Sequence, residues 1–368
     1  MRNQLPYLAG VWLITLGLLT ESVSAQQRHY DFDSLLHSNP QFESLAQLVA
    51  DTFRIFGPHE PLELTVSTDL KGLARNKYKD EYQPADVIFN LWDTISISRE
   101  IRVKPRGEFR LKNCNNPPLK LNVKQTEEVF TLLDDLGKLK MVVPCKGSSM
   151  YQNYILTEYL VYRLYNIITD FSFQVRLINV HYFDTSDKIK EGETYTFIIE
   201  NQKALATRLH SIPIDNERVS AKHLDLENAA IMYLFQYMIG NTDWSVPGLH
   251  NMKLLKTEDI SRPHPIPVSY DFDYCGLVDA SYAIPGDHVS IEEVTEREYM
   301  GYCMPEEHMD NAFNLFLEKE PEIKALVADF ALIDERQRKK STRFLEEFFD
   351  IIRNPKRRDN LILKTCRR

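Results

Sequence analysis

Two short phrases concentrate the residue types that do chemistry. In 237-YMIGNTDWSVPGLHNMKLL-255, an apolar run stops at Gly240 and releases Asn241, Asp243, His250 and Asn251 within eleven residues. In 268-VSYDFDYCG-276, a second apolar run ends on Asp271 and Asp273. Carboxylate and amide oxygens are hard donors that suit Mg²⁺, with Mn²⁺ as an alternative. A loop carboxylate can also orient an attacking hydroxyl, and phosphoryl transfer asks little more of a protein than these parts and a cation on the phosphates.

The cation candidate is Lys120 in 119-LKLNVK-124, where Leu119, Leu121 and Val123 share one face of an alternating strand and Lys120 the other. Glu158 lies in the middle of 150-MYQNYILTEYLVYRLYNII-168, a helix apolar almost all round. A carboxylate there is costly to bury alone and implies a partner cation, so a Lys120–Glu158 pair is expected. Pairing of Glu158 with Arg163 or Arg176, or escape to solvent, is the plainer alternative. Arg106, ahead of Gly107, is the one phosphate-contacting turn candidate in the β-rich part, within the alternating cations Arg102, Lys104, Arg106, Arg110 and Lys112. For Asp243 the plain reading is turn and cap chemistry, and for Asn251 a loop hydrogen bond. For Asp271 and Asp273 it is an Asx-type turn or a structural Ca²⁺ site. No GxGxxG or GxxxxGK[ST] phrase occurs, which excludes a Walker P-loop.

Elements that would position these residues follow from periodicity. Residues 33–55 have apolar residues at helical spacing; 62–68, 86–92 and 97–103 read as strands, and 106–112 with 119–124 as a hairpin. Strands resume at 174–183 and 194–200, a helix covers 224–239, and 306–352 is helical. Gly240 stands where a left-handed helix cap is favoured. The division expected is a signal peptide over 1–25, a helical segment over 26–61, a β-rich lobe with one buried helix over 62–205, and a helical lobe over 206–368.

Arg2 followed by the apolar run 6–19 and the small-residue ending at Ala25 reads as a cleavable signal peptide. Its removal takes away one Arg and one Glu and leaves the net charge at −9, which excludes the basic footprint of a nucleic-acid binder. No stable membrane insertion is expected after cleavage, and the setting is periplasmic or secreted. Five Cys, at 114, 145, 275, 303 and 366, then meet an oxidising compartment. Sequential pairing, Cys114–Cys145 and Cys275–Cys303, leaves Cys366 as the odd thiol.

Arg106-Gly107, a strand Lys, a buried-helix Glu, 241-NTDW…HN-251 and 270-YDFD-273 together resemble the CotH-type atypical kinases, a family named for a spore-coat kinase. The combination of Arg106-Gly107, Cys114, 117-PPL-119 and Cys145 is similar to exported bacterial relatives of that group. The resemblance covers about residues 62–280. It implies an α+β, two-lobed kinase-like fold, with ATP between a β-rich and a helical lobe. Asp243 would be the catalytic base, Asn251 and Asp271 the Mg²⁺ ligands, and Lys120 with Glu158 and Arg106 the nucleotide contacts. The acceptor would be a protein or glycan hydroxyl. Trp244 and an Asp-to-Asn interval of eight depart from the usual pattern. Because ATP is scarce outside a bacterial inner membrane, a catalytically inactive binding or envelope-assembly protein is the alternative. A metal-dependent hydrolase using Asp271 and Asp273 is a third class, with only His250, His264 and His288 near enough in sequence to serve it.

Overall fold

Strict alternation builds the first half of the chain. The computed structural model describes residues 55–56, 60–92, 95–123, 137–214 and 219–368. The proposed signal peptide and most of the 33–55 helix lie outside them. In β1 (Leu62–Thr68) every second side chain is buried, and after α1 (Leu70–Arg75) come β2 (Gln83–Trp92) and β3 (Ile95–Pro105). Gly107, at φ 85°, turns the chain into α2 (Glu108–Asn113), so the first arm of the expected 106–124 hairpin is helical rather than extended. β4 (Leu119–Val123) and β5 (Lys138–Val142) follow, then α3 (Ser149–Ile168), β6 (Val175–Asp184) and β7 (Gly192–Ile199).

These seven strands close into a barrel in the order β1-β2-β3-β4-β5-β7-β6. All neighbours are antiparallel except β1 and β6, which run parallel with Leu64 opposite Val180. That parallel pairing is the closure. It ties together strands more than a hundred residues apart and leaves no free sheet edge. Val66, Val87, Val103, Leu121, Met141 and Val180 fill the interior. The two-lobed kinase-like architecture is therefore corrected. Strand patterns show which residues face inward, but not which edges meet, and the β1–β6 pairing makes the expected β-rich lobe a closed barrel.

α3 packs against β6 and β7 on one side and the C-terminal helices on the other, which explains its all-round apolar surface. The rest of the chain comprises α4 (Gln202–Arg208), β8 (Ser211–Ile214), α5 (Leu226–Ile239), β9 (Met252–Thr257), β10 (Ile266–Ser269), α6 (Glu306–Asp329), α7 (Glu335–Arg353) and α8 (Pro355–Arg358). β10-β9-β8 form a small sheet beside α5. One core runs from α3 through α5 to α6 and α7.

Cys114 and Cys145 form a disulfide, as do Cys303 and Cys366. The expected Cys275–Cys303 pair is corrected: Cys275 is a free, fully buried thiol, and the C-terminal tail supplies the partner of Cys303. Backbone bonds Cys303 N–H to Arg367 O (2.8 Å) and Arg367 N–H to Gly301 O (2.9 Å) hold the tail in place for that bridge. Disulfides are the chemistry of an oxidising compartment. No helix among the described residues is long and apolar enough to cross a membrane.

Candidate functional site

The crowding of polar residues after α5 has a structural origin. Gln236, almost fully buried in the last turns of the helix, donates to Ser269 Oγ of β10 (2.9 Å). Its oxygen accepts from Asn241 Nδ2 (2.9 Å), and Asn241 Oδ1 in turn accepts from the Asp243 N–H (3.1 Å). Gly240 ends α5 in the left-handed region at φ 63°, which redirects the chain into this relay. Trp244 is buried, stacks on Tyr233 and donates Nε1–H to Asn241 O (3.1 Å). It anchors the loop, which accounts for an indole beside Asp243.

Asp243 itself is half-exposed, with both carboxylate oxygens engaged. His250 Nε2 lies 2.9 Å from Oδ1, and Asn251 Nδ2 donates to Oδ2 (3.0 Å) and to the Asp243 carbonyl (2.8 Å). Asn251 is joined to the second phrase by backbone: Tyr270 N–H donates to Asn251 O (3.0 Å), one position before Asp271. Asn251 (φ 52°) and Asp271 (φ 66°) both hold left-handed backbone, strained for residues with a Cβ and of the kind concentrated at functional sites. The β9–β10 ladder thus delivers the Asp243–Asn251 loop and Asp271 to one place.

Carboxylate oxygens of Asp271, Asp273 and Glu158 lie within 4.8 Å of one another. Glu158 is 1% exposed and its Oε1 has no hydrogen-bond partner. Arg110, from α2, supplies the charge: its Nη2 lies 2.8 Å from Asp273 Oδ2 and 3.4 Å from Glu158 Oε2. The Tyr282 hydroxyl also donates to Asp273 (3.1 Å). Burial and the neighbouring Asp273 push the Glu158 carboxyl well up, against the pull of Arg110. Asp271 is raised for the same two reasons, burial first and then Asp273. Burial opposes the Arg110 charge, but Asp273, Tyr282 and Glu158 outweigh it and hold the guanidinium protonated. Arg110 is the one cation ion-paired directly with these three close carboxylates among the described residues, one buried Glu158 oxygen is left without a partner, and all-oxygen donors suit Mg²⁺ or Mn²⁺.

The expected Lys120–Glu158 pair does not form, and neither do the Arg163 and Arg176 alternatives; the cation on Glu158 is Arg110. Lys120 stands on the outer face of the barrel, directly between Lys104 on β3 and Lys140 on β5. Its ammonium is lowered by burial and by Lys104, Lys138 and Arg106. Lys140 is the strand cation whose charge acts on Asp271. Burial, then Arg106, lower it to about 8, while Asp271 works in the opposite direction. Arg106 also acts on Asp271 directly. Lys253 of β9 adds to the positive field at Lys140, whose Nζ sits 4.5 Å above the Tyr270 ring. The structure therefore gathers Arg106, Glu158, Asp271, Asp243 and Asn251 around the β9–β10 end, and sets Lys120 one strand further out.

Sequence reasoning names Arg110 only within the alternating cations that could hold phosphates, not as the partner of Glu158, and does not name Lys140. Lys140 carries a signal: it alternates with Leu139 and Met141 in a strand just before the buried helix. For Arg110 the alternation suggests a strand position facing phosphates, whereas its pairing with Asp273 and Glu158 depends on α2 being helical. Tyr274 reports the same convergence, since burial, Asp273 and Asp243 together raise its hydroxyl to about 12. No family model matches the chain, and no curated protein matches it.

Proposed function

We propose that this site binds a nucleoside triphosphate with Mg²⁺ or Mn²⁺ and transfers the terminal phosphoryl group of ATP to a hydroxyl of a protein or glycan acceptor. The observation that carries the reading is the position of Asp271, which belongs to a cluster of three carboxylates and feels the charges of Arg106 and Lys140. Phosphates need the cations, and a metal ion would need the carboxylates. Glu158, Asp271 and Asp273 would hold the metal, which when bound neutralises charge on phosphate oxygens. The oxygen of Asn251 can join them, its amide nitrogen being committed to Asp243. Arg106 and Lys140 bind phosphate oxygens, and Lys120 extends that row outward. Asp243 orients the acceptor hydroxyl: the hydroxyl oxygen bonds to the terminal phosphorus, the bond from that phosphorus to the β,γ-bridging oxygen breaks, ADP leaves, and Asp243 takes the hydroxyl proton. The setting proposed is periplasmic or secreted, consistent with the two disulfides.

A second reading has its own observation. Arg110 already stands between Glu158 and Asp273, and both oxygens of Asp243 are occupied. A protein that binds the nucleotide without turning it over would look the same. Incubation with γ-³²P-ATP and Mg²⁺ or Mn²⁺ separates the two. Labelling of the chain or of an added acceptor, lost in Asp243→Ala, supports transfer. Nucleotide binding without label, unchanged in Asp243→Ala, supports the non-catalytic reading.

A further inference from the structure

A cavity of about 510 Å³ opens at the end of the barrel where β1 and β6 finish. Leu70, Leu73, Leu119, Val143, Tyr182 and Ile189 give it an apolar floor and one apolar flank. Its volume falls in the range of sites that enclose a small molecule, and barrel mouths are frequent places for them.

The walls are fixed by bonds that the interior of the barrel does not require. Asp184, 3% exposed, accepts from Leu70 N–H of α1 (2.8 Å) and from Ser186 Oγ, Lys188 N–H and Ile189 N–H, at 2.8, 2.8 and 2.9 Å, of the β6–β7 turn. One carboxylate thus pins two walls. A third wall, 115–117 with 144–147, is held by the Cys114–Cys145 bridge and by Asn115 and Asn116 N–H on Cys145 O. Gln152 accepts from Thr194 Oγ1 (2.6 Å) and Tyr195 N–H (3.1 Å), fastening α3 to β7. A cavity held open this way is preorganised for an occupant.

The polar rim decides the class of that occupant. Ser148 and Ser149 line the cavity where the twenty-residue α3 begins, with no side-chain cap on its first turn and no acidic residue in it. Lys146 and Lys190 line the same rim, and neither makes an ion pair among the described residues. The one lining carboxylate, Glu193, is turned outward onto Asn179 Nδ2 (2.6 Å). An apolar floor beside a rim with two lysines, two hydroxyls and free helix amides fits a molecule with an alkyl chain and one anionic end. We propose that this cavity binds a single-chain anionic amphiphile, an alkyl phosphate or carboxylate, with its chain over the floor and its head at the start of α3. This proposal is independent of the carboxylate cluster.

Calorimetric titration of the whole chain below micellar concentrations tests it, with dodecyl phosphate, dodecanoate and dodecyltrimethylammonium as probes. One equivalent of dodecyl phosphate or dodecanoate is expected to bind, and the preference between them identifies the head. The cationic probe should bind at least tenfold more weakly. Ala74→Trp, on an exposed lining position of α1, should weaken anion binding tenfold or more by filling the cavity. Ser149→Glu should do the same by repulsion, although a carboxylate in the first turn favours the helix. Equal binding of cationic and anionic probes, binding indifferent to both substitutions, or no saturable binding would overturn the proposal.

Discussion

At the scale of single residues, the site is governed by one guanidinium, Arg110, which is paired with two of its three carboxylates. Arg110→Ala leaves Glu158 and Asp273 buried opposite each other, which should destabilise the chain by about 3–5 kcal/mol. Mg²⁺ should recover part of that loss, and urea melts with and without the metal measure both effects. Lys140 makes a second prediction with a defined sign. Its folded value of about 8 lies below the ordinary lysine value of 10.5. Between those two values the unfolded chain holds more of this proton, so the contribution of Lys140 to stability rises as pH increases from about 8 towards 10.5. Anion binding has the opposite trend, because raising pH through 8 discharges the ammonium. Lys140→Met should flatten both trends, read from urea midpoints and from ATP titrations at about pH 7 and pH 9. Several residue types were legible in sequence, among them Asp243 followed by Asn251, Asp271 beyond them, and Glu158 as a buried carboxylate in need of a cation. The identity of that cation was not, because Arg110 reaches Glu158 across 48 residues and Asp273 across 163.

Elements place these residues through their ends. α5 stops at Gly240, and a Cβ there would stand 2.9 Å from Phe344 and force a left-handed backbone on an L side chain. Gly240→Ala should therefore cost at least about 1 kcal/mol and displace the 241–251 loop. A melting curve shows the first effect, and loss of metal-dependent stabilisation shows the second. Periodicity revealed α3, α5 and the barrel strands other than β5, because apolar faces repeat along the chain. It misread 106–112, where alternating charged and apolar residues fit a short helix as well as a strand and Gly107 selects the helix. Strand partners were invisible for a different reason: register between β1 and β6 is a property of two distant segments, and neither carries the other's address.

Over the whole molecule, barrel closure and two disulfides hold a site whose parts come from β5, α2, α3 and the β9–β10 ladder. The Cys303–Cys366 bridge closes a long loop around α6 and α7. Removing it with the double substitution Cys303→Ser and Cys366→Ser should lower stability by about 2–4 kcal/mol without abolishing metal binding. Thermal melts with and without Mg²⁺ check this. One site is proposed to take both a metal ion and phosphates at Asp271. Thermal stability with ATP plus Mg²⁺ or Mn²⁺ tests it directly, in wild type, Asp271→Ala and Lys140→Met. At about a hundred times the dissociation constant, about 2.7 kcal/mol of added stability is expected in wild type, requiring metal and nucleotide together and lost in Asp271→Ala. The absence of any shift with any nucleotide, or a shift of equal size in Asp271→Ala, would contradict it.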